Sequence, residues 1–154
     1  MPDNAPAGSA FVEQFASALA DAGMPRMPAR VLARLIADDE GASTAARLAE
    51  ELRASPAAIS GAVRYLSQVR LVVRHRRPGD RHDTWALHSD VWYEAVYSRE
   101  GEVARWAALA REGVTAVGAD SPAGRRMADT AAFFEFLEEE MAGLLDRWRA
   151  RRQG

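Results

Sequence analysis

The chain has 154 residues, 48% of them hydrophobic and 27% charged, and a formal net charge of −2, which is the size and balance of one globular domain with a full core. It has no cysteine, which excludes disulfides, zinc–thiolate sites and thiol redox sensing. No run approaches the ~20 consecutive apolar residues of a membrane span, and MPDNAPAGSA has neither the basic region nor the apolar stretch of a secretory leader, so a cytoplasmic protein is expected.

Residues 1–8, rich in Pro, Ala and Gly, read as a disordered N-terminus. Residues 9–40 read as N-terminal scaffold and dimerisation helices. The first starts at Ser9, carries Phe11, Phe15, Leu19 and Ala22 at helical spacing, and closes at Gly23. Pro28 fits the first turn of a second helix with Val31, Leu32, Leu35 and Ile36, and Asp38 to Gly41 form an acidic turn.

The segment 41–88 carries the clearest pattern. Thr44 is a good N-cap for a third helix with Leu48 and Leu52 inward. Ala54 is the turn, Ser55 caps the fourth helix, and Pro56 occupies its first position, where the missing N–H costs nothing. Ile59, Val63 and Leu66 mark the inward stripe, while Ala57, Ser60, Gly61, Arg64 and Gln68 leave an outer face that is small or polar. A strand begins at Leu71-Val72-Val73, Arg77 to Arg81 form a turn, and Thr84 to Leu87 return as the second strand of a hairpin. From Arg53 to Trp85 there are seven arginines and two acids, a balance of +5, so the rest of the chain carries −7. Helix, tight turn, helix and a basic hairpin form the layout of a winged helix-turn-helix, which lays its second helix in the DNA major groove.

Residues 89–154 read as C-terminal dimerisation helices. A fifth helix starts at Ser89 or Asp90 and frays between Gly113 and Gly118. A sixth starts at Ser121-Pro122 and carries Met127, Phe133, Phe134, Leu137, Met141, Leu144, Leu145 and Trp148. The terminal helices need a surface on which to bury these stripes, and a two-fold dimer supplies one. The expected fold class is therefore mainly α (α+β), a winged helix-turn-helix with long N- and C-terminal helices forming a dimerisation region.

Thr44-Ala-Ala-Arg-Leu-Ala49, Ser55-Pro-Ala-Ala-Ile-Ser-Gly-Ala-Val-Arg-Tyr-Leu66, Leu71-Val-Val-Arg74 and Pro78-Gly-Asp-Arg81 resemble the MarR superfamily of bacterial transcription regulators, its GbsR-like subgroup above all. The resemblance implies a homodimer that binds a pseudo-palindromic stretch of double-stranded DNA, with the fourth helix reading the major groove, the wing in the minor groove, and repression relieved by a small ligand. It puts Ser55, Ala57, Ser60, Gly61 and Arg64 at reader positions and Arg81 at the wing tip, with Asp80 as its orienting partner. Thr44 and Ala58 complete the expected DNA-binding set at the helix starts, and Arg74, Arg76 and Arg77 are expected to meet phosphates. Where the family has a glycine before the first wing strand, this chain has Arg70.

Trp85, Trp92, Tyr93 and Trp106 are the candidates for a pocket taking a small apolar or aromatic effector. His75, His82 and His88 match no metal-ligand spacing, so neither a metal nor another cofactor is expected. There is no Gly-rich phosphate loop, nucleophile elbow or paired carboxylate with a supporting base, and no enzyme is expected. The alternative reading is a winged-helix protein-interaction module that does not bind DNA.

Overall fold

The sequence RMPARVLARLI is apolar around most of its helical circumference, and a helix of that kind belongs in a core. In the computed structural model, which describes residues 5–76, 78–92, 95 and 100–153, the chain forms two units, residues 1–94 and 95–154. The first contains α1 (Ala5–Asp21), α2 (Arg26–Ile36), β1 (Ala42–Thr44), α3 (Ala45–Leu52), α4 (Pro56–Gln68), β2 (Val72–His75) and β3 (Thr84–Leu87). The second is a hairpin of α5 (Glu100–Val117) and α6 (Pro122–Gln153).

Helix α2 is the centre of the first unit. Its Val31, Leu32 and Leu35 are fully buried together with Leu48 of α3, Ile59 and Leu66 of α4, and Val72 of β2. The helix starts follow local capping chemistry. The Arg47 N–H donates to Thr44 Oγ1 (3.2 Å) and the Ala58 N–H to Ser55 Oγ (3.1 Å), with Pro56 at the first position of α4. Two boundaries differ from the sequence reading. Helix α1 begins at Ala5, so residues 5–8 form its first turn rather than frayed chain. Helix α5 continues through Gly113 and ends at Val117, where Gly118 takes φ 86°. Of the expected start at Ser89 or Asp90, Val91, Trp92 and Ala95 are helical, while Tyr93, Val96 and Tyr97 lie outside the described residues.

The wing hairpin carries a third strand. β1 pairs antiparallel with β3, Ser43 opposite Trp85, and β3 pairs antiparallel with β2, Arg74 opposite Trp85, giving the order β1-β3-β2. The expected acidic turn has a structural task. The Asp38 carboxylate is nearly buried and accepts from Arg34 (3.3 Å) and Arg47 (3.1 Å), while Glu51 accepts from the same two arginines at 2.7 and 2.9 Å. This four-membered network ties α2 to α3. Arg30 ties in α1, binding Glu13 through Nε and Nη2 (2.9 and 2.6 Å) and donating to the Leu52 carbonyl at the end of α3 (3.0 Å).

Burial pushes the Glu51 carboxyl upward, but the hydrogen bonds from Arg34 and Arg47 and their charges outweigh it and hold the group below the ordinary carboxylate value. A carboxyl lowered by folding contributes stability above its unfolded value, about 4.3, and loses it as pH falls through the folded value. Glu51→Gln is therefore expected to cost about 0.5–1 kcal/mol at pH 7 in urea unfolding, with the gap to wild type closing as pH falls below the unfolded value and through the folded one. A gap independent of pH would remove the ion pairs as its cause.

In the second unit α5 and α6 run antiparallel. Arg111 binds Glu135 (Nε to Oε1, 2.6 Å), and the rings of Trp106 and Phe134 lie 5.4 Å apart. Ala131 and Leu145 are buried, whereas Phe133, Phe136, Leu144 and Trp148 of α6 are each about half exposed.

Candidate nucleic-acid interface

Helix α4 divides sharply. Ile59, Ala62, Val63 and Leu66 are buried, while Ser55, Ala57, Ser60, Gly61 and Arg64 are exposed and Ala58 is half-buried. The exposed residues are small except for Arg64, and a helix stripped of large side chains can approach the floor of a groove ~12 Å wide. Their common face follows from the inward stripe, because residues three and four apart share a side of a helix. Thr44, half-buried, stands at the junction of β1 and α3.

The wing supplies the second part. Arg74, Arg76, Asp80 and Arg81 are exposed, and Gly79 turns the chain with φ 95°. Arg77 lies outside the described residues. Asp80 is not the carboxylate that organises this tip: among the described residues no ion pair joins it to Arg81. Asp83 takes the organising role, binding Arg74 Nε through Oδ2 at 3.1 Å and lying 4.0 Å from Arg76 Nε through Oδ1. The hairpin register explains this, since β2 and β3 pair His75 with Thr84 and set Asp83 beside the tip end of β2, within reach of Arg74 on the strand and Arg76 just past it.

The basic layout thus separates into two groups. Arg47, Arg74 and Arg76 have carboxylate neighbours within the protein. Arg64 and Arg81 have none among the described residues, and neither do Arg53 and Arg70. Unpaired exposed guanidinium groups are the ones whose charge is available to an external phosphate.

Between α4, the start of α3 and the wing lies a cleft of about 250 Å³, lined by Thr44, Ser60, Val63, Asp83 and Trp85 among others. Of the aromatic effector candidates, Trp85 faces this cleft. Trp92 stands edge-on to Phe15 (6.3 Å), which stacks on Phe11 (6.0 Å). Trp106 belongs to the second unit, and Tyr93 lies outside the described residues. Among the described residues no group of three His, Asp or Glu side chains is arranged to hold a metal ion. His88 instead accepts the Asp90 N–H through Nδ1 (3.2 Å). No helix among the described residues is long and apolar enough to cross a membrane.

Two family models and several solved structures are similar to this chain. The model of the MarR family matches residues 22–81, and that of the MmpR5-like MarR family transcriptional regulators matches residues 90–151. A crystal structure described as that of a transcriptional regulator superposes with a TM-score of 0.80 at 26% identity, covering 94% of this chain and 99% of its own. RV1404 from Mycobacterium tuberculosis matches at 27% identity over 62% of this chain and 66% of its own, with a TM-score of 0.42. A DNA complex of a Lactococcus lactis ZitR mutant matches at 25% identity over 78% of this chain and 77% of its own, with a TM-score of 0.40. No curated protein matches the sequence.

Proposed function

This chain belongs to the MarR superfamily of winged helix-turn-helix transcriptional regulators, which are non-enzymatic DNA-binding proteins, and from that premise we propose that it is a homodimeric repressor of a pseudo-palindromic operator, released from it by a small ligand. The carrying observation is the pairing of two features: an exposed α4 face of small residues around the unpaired Arg64, and an exposed hairpin tip with the unpaired Arg81.

In this reading α4 lies in the major groove. Ser55, Ala57, Ala58, Ser60 and Gly61 line its approach, and Arg64 reaches a guanine edge or a phosphate. Arg81 enters the adjacent minor groove, whose negative potential attracts arginine where it is narrow. Thr44 meets the backbone at the α3 N-terminus, where unpaired N–H groups favour phosphate. Arg74, Arg76 and Arg77 add phosphate contacts, and Asp80 stands at the tip beside Arg81. The half-exposed Phe133, Phe136, Leu144 and Trp148 support a second copy of the chain as partner, because large apolar side chains left exposed along one helix mark an interface. A two-fold dimer sets the half-sites about 10 bp apart. The ligand is small and apolar or aromatic, with Trp85 at the cleft beside α4 as its candidate contact, and the protein acts in the cytoplasm.

The test is selection of bound duplexes from a random DNA pool at two salt concentrations. One enriched inverted repeat, held less tightly as salt rises, is the expected result. Binding without enrichment would reduce the protein to a nonspecific DNA coater, and no binding at all would favour a protein-interaction module. On the selected duplex, Arg81→Ala is expected to weaken binding broadly and to flatten the salt slope by about one unit. Arg64→Ala is expected to cost about 1–3 kcal/mol and to relax base preference at one position if it reads a base. Unchanged affinity and slope in Arg81→Ala would sink the wing assignment.

A further inference from the structure

Three helices of the first unit close with the same backbone motif but not with the same residue. At the end of α1, Gly23 takes φ 104°, its N–H bonds the Ala20 carbonyl (3.0 Å), and the Met24 N–H bonds Leu19 (3.1 Å). At the end of α3 the left-handed residue is Arg53, φ 49°, with Arg53 to Glu50 at 3.2 Å and Ala54 to Ala49 at 2.9 Å. At the end of α4 it is Arg70, φ 62°, with Arg70 to Ser67 at 3.1 Å and Leu71 to Leu66 at 2.9 Å. In the second unit, α5 stops at Gly118, φ 86°.

Glycine is the ordinary occupant of this position because it has no Cβ to meet the carbonyl oxygen. A residue with a side chain is strained there, because its Cβ crowds the following carbonyl oxygen. Helices α1 and α5 use glycine at this position, and the two helices that compose the helix-turn-helix use arginine. Neither arginine recovers the cost inside the protein. Both side chains are exposed, and among the described residues neither makes an ion pair or a side-chain hydrogen bond.

The two positions bracket α4, Arg53 two residues before its N-cap Ser55 and Arg70 just past its last turn. At 1.5 Å per residue, thirteen residues make a helix about 20 Å long, longer than the major groove is wide, ~12 Å. Set across the groove, such a helix brings its two ends up against the two phosphate walls. We infer that Arg53 and Arg70 are phosphate-binding residues that clamp the reading helix across the groove, one against each DNA strand. This rests on the DNA-binding reading above and adds to it two contacts whose backbone strain is otherwise uncompensated.

The test uses the full chain with Arg53→Gly, Arg70→Gly and the double variant. Urea unfolding is measured alongside affinity for the selected operator and for a random duplex at several salt concentrations. Each glycine variant is expected to unfold at the same or higher urea concentration than wild type. Each is also expected to lose about threefold to tenfold in affinity for both duplexes alike and about one unit of salt slope. Arg53→Lys and Arg70→Lys are expected to retain binding, and Arg53→Gln and Arg70→Gln, which keep the bulk without the charge, to lose it. Glycine variants that bind with wild-type affinity and slope would overturn the clamp, as would losses that lysine fails to prevent. Wild-type protein that binds neither duplex would overturn the DNA reading itself, a distinct outcome.

Discussion

Gly124→Ala is expected to destabilise the α5–α6 hairpin by about 3 kcal/mol and to lower the melting temperature by about 10 °C. A Cβ built at Gly124 would lie 2.1 Å from the Gly118 oxygen and 2.9 Å from the Ala119 oxygen. Both are backbone atoms, so no rotamer change relieves the overlap. The turn that presents them is itself fastened. Ser121 Oγ accepts the Gly124 N–H (2.9 Å) and donates to the Gly118 carbonyl (2.7 Å), and the Ser121 N–H reaches the same carbonyl at 3.0 Å. Opening the turn to admit a methyl group breaks these bonds together. Gly113 is the internal control. A Cβ there meets Met127 Sδ at 3.2 Å, and methionine is flexible enough to withdraw, so Gly113→Ala is expected to cost far less. Circular-dichroism melts of the two variants side by side decide the matter. A Gly124→Ala protein that melts with wild type would show that the turn yields. If the hairpin carries the dimer contact, sedimentation of Gly124→Ala at low concentration shows monomer where wild type shows dimer.

What the sequence made legible is what local chemistry decides. Thr44 and Ser55-Pro56 announce the starts of α3 and α4 because a cap is a bond between residues three apart. The inward stripe of α4 is legible for the same reason, since its period belongs to one helix. Strand β1 escaped because Ala42-Ser43-Thr44 has neither length nor alternation, and it becomes a strand by pairing with β3, some forty positions along the chain. The partners of the arginines escaped too. Arg47 is held by Asp38, and Arg74 by Asp83, through folds of the chain that no spacing rule encodes. Asp80 was the nearer carboxylate in sequence to Arg81, but the register of the hairpin gave the organising position to Asp83. Arg53 escaped for the opposite reason: the rule for a left-handed helix end names glycine, and the chain departs from it there as well as at Arg70, where the departure shows in the sequence.

Gly61→Glu tests the reading face most directly, because Gly61 has no structural reason to be glycine in the free protein. It sits inside α4 with helical φ, it is exposed, and a Cβ added there meets nothing within 4 Å. Glycine in a helix interior costs about 1 kcal/mol relative to alanine, so Gly61→Ala is expected to raise stability by up to that amount, and Gly61→Glu is expected to fold at least as well as wild type. Binding should respond in the opposite sense. A carboxylate on the face that enters the groove must give up its water among base edges and phosphates that offer it little compensation, and affinity for the selected operator is expected to fall on the order of 100-fold or more. Alanine separates bulk from charge: a loss with glutamate alone indicates repulsion, and a loss with both indicates that backbone and DNA come too close for a methyl group. Gly61→Glu protein that folds and binds its operator like wild type would place the DNA somewhere other than on this face of α4, and with it would go the reader roles of Ser60 and Arg64.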